Sequence, residues 1–204
     1  MKLKRKIKIS NLILFVYFGL GLLFLSSFLF RSKKIEGIKE TIIQLPAFNF
    51  IKVTSGSHIK IVSGKENQIG FYCKKNDYNS NDFWKINGDT LVVFKFPKYA
   101  KNRNFEYRVS VKNITGIEAF DGNCTLCFSG DSIKLSGFKH SSFNFERPFK
   151  FEKIRLRLKN SSFSSGDQFT NKMDIVMTDS STLHFRGGKE LLILSDTTSQ
   201  ILNW

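Results

Sequence analysis

Apolar and polar residues alternate in short runs through the second half of the chain, and the runs recur. Ile154, Leu156 and Leu158 lie two apart; Met173, Ile175 and Met177 repeat the pattern; Leu191 and Ile193 begin it a third time. Alternate residues of a strand share a face, so each run predicts a strand with one apolar side. Arg155, Arg157, Asp174 and Thr178 then point outward. Each run leads into a pair of hydroxyl residues: Ser161-Ser162, Ser180-Ser181 and Thr198-Ser199, with Ser141-Ser142 ahead of them. The first members of the four pairs are spaced by 20, 19 and 18 residues. A repeat of this length with a period of two predicts an all-β chain wound as a β-solenoid of 18-20-residue coils, in which stacked coils bury what one coil cannot. The hydroxyl pairs are expected at corners, and Phe143 and Phe163, joined by Leu183 and Ile201, as an internal stack. Ile201 and Trp204 are expected either to close the last coil or to meet a partner.

Upstream, residues 48-104 read as a first β-block and 105-204 as the repeated coils. Ile59 to Val62, Ile69 to Cys73, Trp84 to Ile86 and Leu91 to Phe94 are β-branched or aromatic runs separated by turns, with Asn87-Gly88 the strongest turn mark. Tyr107, Val109 and Val111 alternate into the first coil, where Asp121 to Phe128 lines up with Asp179 to Phe185 after one insertion. No segment after residue 30 holds a helical period.

Residues 12-30 contain no charged side chain, and 19 residues of helix span about 28 Å, enough for a hydrocarbon core. The basic start places the N-terminus in the cytoplasm and the rest of the chain outside it. Residues 1-31 are thus expected to be a basic N-terminus and single-pass signal anchor, 32-47 a juxtamembrane linker and 48-204 the β-solenoid ectodomain. A cleaved signal peptide is the competing reading, with Ser26-Ser27 the nearest candidate site, but the apolar run is longer than such a peptide needs and ends in Phe28-Leu29-Phe30-Arg31.

The net charge of +15 includes five cations before residue 31, which leaves residues 31-204 at +10. Such a surface attracts anionic partners, although outward cations also keep strands soluble. The stretch 95-104 interleaves Lys95, Lys98, Lys101 and Arg103 with Phe96 and Tyr99. With Arg155 and Arg157 these cations make up the candidate binding surface. A location outside the cytoplasm argues against nucleic acid as the partner.

Catalytic and metal chemistry find little to work with. Cys124 and Cys127 spell C-x-x-C inside a β-run, where residues three apart face opposite sides, and Cys73 does not complete a four-ligand zinc site. His58, His140 and His184 are scattered. The position before each hydroxyl pair reads His140, Asn160, Asp179 and Thr197, so no acidic ladder forms for calcium or for glycosidase chemistry. The serines stand in no nucleophile-elbow pattern. No metal, cofactor or catalytic residue is expected.

The stretch Phe48-Asn49-Phe50-Ile51-Lys52-Val53-Thr54-Ser55-Gly56-Ser57-His58-Ile59-Lys60-Ile61-Val62-Ser63-Gly64-Lys65, followed by Leu91-Val92-Val93 and the coils, resembles the autotransporter-adhesin head GIN domain family, whose members are candidate adhesins. The resemblance covers about residues 48-204. It implies an extracytoplasmic β-solenoid and carries over no catalytic residue. Where typical members have Gly-Ser-Gly-like turns, this chain has Ser141-Ser142-Phe143, Asn160-Ser161-Ser162 and Asp179-Ser180-Ser181. The expected function is a membrane-anchored, non-enzymatic adhesion or cell-envelope interaction module, with an anionic glycan or another envelope protein as partner. The alternatives are a carbohydrate-active enzyme on the same scaffold and an anionic glycan- or lipid-binding protein.

Overall fold

The computed structural model describes residues 38-54, 56-74, 83-94, 107-146, 149-167, 169-186 and 189-203. The expected membrane segment 12-30, the basic stretch 95-104 and Trp204 lie outside them. The chain divides into two compact units, 1-38 and 39-204, and the second carries the core.

Its strands are β1 (Ile38–Gln44), β2 (Phe50–Val53), β3 (His58–Ser63), β4 (Gln68–Lys74), β5 (Trp84–Asn87), β6 (Thr90–Val93), β7 (Tyr107–Val111), β8 (Gly116–Phe120) and β9 (Asn123–Cys127). Then follow β10 (Gly130–Phe138), β11 (Ser142–Phe145), β12 (Lys150–Lys159), β13 (Ser162–Asp167), β14 (Phe169–Thr178), β15 (Thr182–Arg186), β16 (Glu190–Ser195) and β17 (Gln200–Asn203). They form a nine-stranded sheet in the order β1-β4-β7-β3-β9-β11-β13-β15-β17 and an eight-stranded sheet in the order β16-β14-β12-β10-β8-β2-β6-β5. Each coil gives one strand to each sheet and pairs in parallel with its neighbours, a pattern consistent with a β-solenoid. Part of the expected linker, residues 38-44, is a strand: the alternation around Ile43 lets that side chain pack against the core.

Coil order in space departs from coil order in sequence. The coil β2-β3 sits between β6-β7 and β8-β9, as the register Leu91, Ile51, Ile117 across one sheet and Tyr107, Ile59, Cys124 across the other shows. After its first coil the chain builds the outer end, where β4 pairs antiparallel with β7 and β5 antiparallel with β6. It then crosses back over that coil to begin β8. The β5-β6 hairpin turns at Asn87-Gly88, with Gly88 at φ 60°, in the left-handed region the turn requires.

The apolar rows fall where the alternation placed them. Ile154, Met173 and Leu191 are register partners, as are Leu156, Ile175 and Ile193. Phe143, Phe163, Leu183 and Ile201 form one row of the other sheet, and the first three are buried. Between the sheets Phe128, Phe145, Phe149, Phe151 and Phe163 interlock, with Phe128 edge-on to Phe151 at 5.6 Å between centroids. Burying one such ring stabilises the fold by about 1.5–3 kcal/mol.

The corners correct the spacing read from the hydroxyl pairs. Ser142, Ser162, Thr182 and Gln200 are register partners, so the buried corner position is Ser141, Ser161 and Ser181, while Ser180 lies one residue outside it. The slip arises because the corners differ in length. Lys139-His140 and Asp179-Ser180 are two-residue turns with positive φ throughout, whereas Asn160 turns alone at φ 48°. Each buried serine closes its own corner: Ser141 Oγ donates to the Phe138 carbonyl and Ser181 Oγ to that of Thr178, both at 2.6 Å, and Ser161 Oγ to that of Lys159 at 3.0 Å. These hydroxyls are bound into turns. Glycine takes the position in the preceding coil because a Cβ on Gly122 would meet Val53 Cγ1 at 2.8 Å.

Candidate functional site

The outward face of the eight-stranded sheet gathers the described part of the expected cationic surface. Parallel register stacks residues of the same phase about 4.8 Å apart, and every second residue along a strand shares a face. Lys134 therefore stands beside Arg155, Ser136 beside Arg157, and Ser132 beside Lys153, which is followed by Lys172. Arg155 and Arg157 are both exposed, as expected. Lys153 shares β12 with both arginines, whereas Lys134 and Lys172 join them only through register, because they come from the neighbouring coils. Alignment of Ile154 with Met173 already implied the Lys153–Lys172 neighbour, but not the approach of Lys134.

A shallow depression of about 370 Å³ opens on this face. Lys134, Lys153 and Arg155 border it together with the Thr115 and Ser132 hydroxyls and the Phe50 ring. Phe50 reaches this place from β2 because its neighbour on β8 is glycine: a Cβ on Gly116 would meet Phe50 Cε2 at 2.5 Å. The absent side chain lets the ring lie across the backbone.

The charges are unevenly matched. Lys153 pairs with Asp174 at 2.6 Å, and that hydrogen-bonded ammonium holds the Asp174 carboxyl below its ordinary range, against a smaller opposing effect of desolvation. Lys172 pairs with Glu190 at 3.5 Å and Lys52 with Glu118 at 2.7 Å. Lys134, Arg155 and Arg157 make no ion pair within 4 Å among the described residues, so their donors face solvent. An aromatic surface flanked by free cations and hydroxyls suits a ligand with an apolar face and acidic substituents.

Other candidates resolve differently. Cys124 points into the core, where burial pushes its thiol pKa up, while Cys127 is half-buried on the opposite face with its thiol 3.7 Å from Glu146 Oε2. His58 contacts the Asn123 amide at 3.2 Å on the nine-stranded sheet. Two further depressions carry one carboxylate each, Glu40 in one and Asp131 in the other. Lys95, Lys98, Lys101 and Arg103 fall outside the described residues.

No family model and no curated protein matches the chain. Solved structures share its fold. A candidate lipid-binding protein from Parabacteroides distasonis is similar with a TM-score of 0.54 at 8% identity, covering 83% of this chain and 98% of that one. A candidate adhesin from the same species is similar with a TM-score of 0.52 at 9% identity, covering 82% and 94%. At these identities the likeness is one of fold: this chain is an all-β stack of the kind found in those two proteins.

Proposed function

We propose that the chain is a membrane-anchored adhesion module of the cell envelope, held by residues 12-30, whose stack lies outside the cytoplasm and binds acidic glycans on the eight-stranded sheet without transforming them. The observation that carries this reading is the depression that Lys134, Lys153 and Arg155 line together with the Phe50 ring. The ring offers a stacking surface for the apolar face of a sugar, and the cations answer carboxylate or sulfate groups on it. Fold likeness to a candidate adhesin and a candidate lipid-binding protein supports binding as the general role. The uncharged run of residues 12-30 supports the anchor.

Binding of the full chain in detergent to a sulfated or uronic-acid glycan tests the reading, beside neutral glycan and anionic lipid vesicles. The Lys134→Glu/Arg155→Glu pair is expected to weaken acidic-glycan binding by about tenfold or more, and added salt to weaken that of the wild type. Binding indifferent to both would refute the site. Preference for vesicles over glycan would move the ligand to lipid headgroups, and cleavage of the glycan would replace the binding module with an enzyme.

A further inference from the structure

The far end of the stack, at β16 and β17, differs from the rest of its surface. These strands end the eight- and nine-stranded sheets, so each has a neighbour on one side only among the described residues. Leu191 and Ile201 occupy inward rows yet are each 42% exposed. Leu192 and Leu194 occupy outward rows, in line with Arg155 and Arg157 two coils earlier, and are 58% and 60% exposed. Both faces of β16 are thus apolar. Solvent-facing edge strands are ordinarily guarded by Lys, Pro or a bulge. Neither β16, Glu-Leu-Leu-Ile-Leu-Ser, nor β17, Gln-Ile-Leu-Asn, contains Lys, Arg or Pro.

We infer that this edge is a self-association surface on which a second copy docks tail to tail, β16 against β16 and β17 against β17. A two-fold axis normal to the sheets makes both pairings antiparallel and keeps inward rows inward. With the axis at Ile193, Leu192 of one copy meets Leu194 of the other, and the backbone groups of the edge find partners. Charge selects this end. Among the described residues, Lys and Arg outnumber Asp and Glu by 8 to 3 in 38-115 but only equal them, 10 to 10, in 116-203. Two copies meeting at their tails keep the more basic coils apart, whereas meeting at their heads brings them together. The opposite end of the eight-stranded sheet is β5, guarded by exposed Lys85, which disfavours head-to-tail growth. The same charge map argues against a lipid surface, since these leucines lack the cations that accompany a membrane-inserting face: Lys189 is outnumbered by Glu190 and Asp196.

The chain joins the stack through β1, at the other extreme of the nine-stranded sheet from β17. A tail-to-tail pair therefore carries its two β1 strands at opposite ends, and the pairing does not rest on the anchored reading.

The test is sedimentation of the full chain in detergent micelles, wild type beside Leu192→Lys/Leu194→Lys, with thermal melting to confirm that both are folded. The wild type is expected to dimerise and the variant to do so at least about tenfold more weakly. A monomeric wild type overturns the proposal. So does a variant that dimerises as well as the wild type, because assembly then runs through another surface, and so does a monomeric wild type that binds neutral vesicles through the same leucines. Glycan binding separates the two readings: the leucine variant is expected to keep it, and Lys134→Glu/Arg155→Glu to lose it while still dimerising.

Discussion

Replacing Ser181 by alanine tests whether the buried hydroxyls are structural. Ser181 is fully buried; its Oγ donates to the Thr178 carbonyl at 2.6 Å and accepts the Ser161 N–H at 3.3 Å from the neighbouring coil. The Thr178 carbonyl keeps a second donor, the Asn160 N–H at 3.0 Å, so its loss is modest. The Ser161 N–H loses its acceptor in a buried setting. A net hydrogen bond contributes about 0.5–1.5 kcal/mol and a stranded buried donor costs about 1–3 kcal/mol, which puts Ser181→Ala at about 2 kcal/mol. In a domain of this size that lowers Tm by about 4–8 °C. The control is Ser180, the adjacent hydroxyl, which is exposed at φ 61°. Ser180→Ala is expected to change stability by less than about 0.5 kcal/mol. Ser180→Gly is expected to stabilise by up to about 1 kcal/mol, because glycine occupies the left-handed region without strain. Denaturant melts of the three variants decide the matter. Equal losses for Ser181→Ala and Ser180→Ala would refute the corner assignment and return the hydroxyl pairs to the phase read from their spacing.

Two further outcomes follow from the ends and the core of the stack. Hydrogen bonds from the Ser199 hydroxyl and the Asp179 N–H, reinforced by Thr198, hold the Asp196 carboxyl down to about 2. A depressed carboxylate stabilises the fold above its unfolded pKa of about 3.9, and the contribution disappears as pH falls through the folded value. Amide protection in residues 190-203, taken relative to intrinsic exchange, is therefore expected to fall between about pH 4 and pH 2 and to stay level there in Asp196→Asn; unchanged protection across that window in the wild type would contradict the corner. In a Cys73→Ser background, Cys127 is expected to react with a thiol reagent in the folded chain and Cys124 only after unfolding, because the two face opposite sides of β9 and burial raises the Cys124 pKa. Equal labelling by mass spectrometry, or a 124–127 disulfide, would refute that placement.

Acidic-glycan recognition and tail-to-tail pairing use different parts of one scaffold. Cations from different coils become a surface because the coils share a register, and Phe50 becomes part of it because Gly116 leaves room. The leucines of β16 lie in the same outward rows as those cations. One sheet face thus passes from basic to apolar along the stack. Lys134 and Arg155 can be altered without touching the edge, and Leu192 and Leu194 without touching the depression.

Local alternation by itself determined the strands and their inward rows, since a period of two decides which side chains share a face wherever the strand lies. Ile154 with Met173 and Leu191, Phe143 with Phe163, and the Asn87-Gly88 turn were all legible in this way. Corner length was not, because a left-handed residue at Asn160 does in one position what Asp179-Ser180 does in two, and hydroxyls occur on both sides of the slip. Neighbour order was also beyond the pattern: any coil with an apolar interior can stack on any other, and only tertiary packing placed β2-β3 between coils made some 40 and 65 residues later. That placement brings Phe50 onto Gly116 beside Lys134 and Arg155. Sheet order likewise decided that β16 is an edge, and so that Leu191, which lies in an inward row of the repeat, is open to solvent.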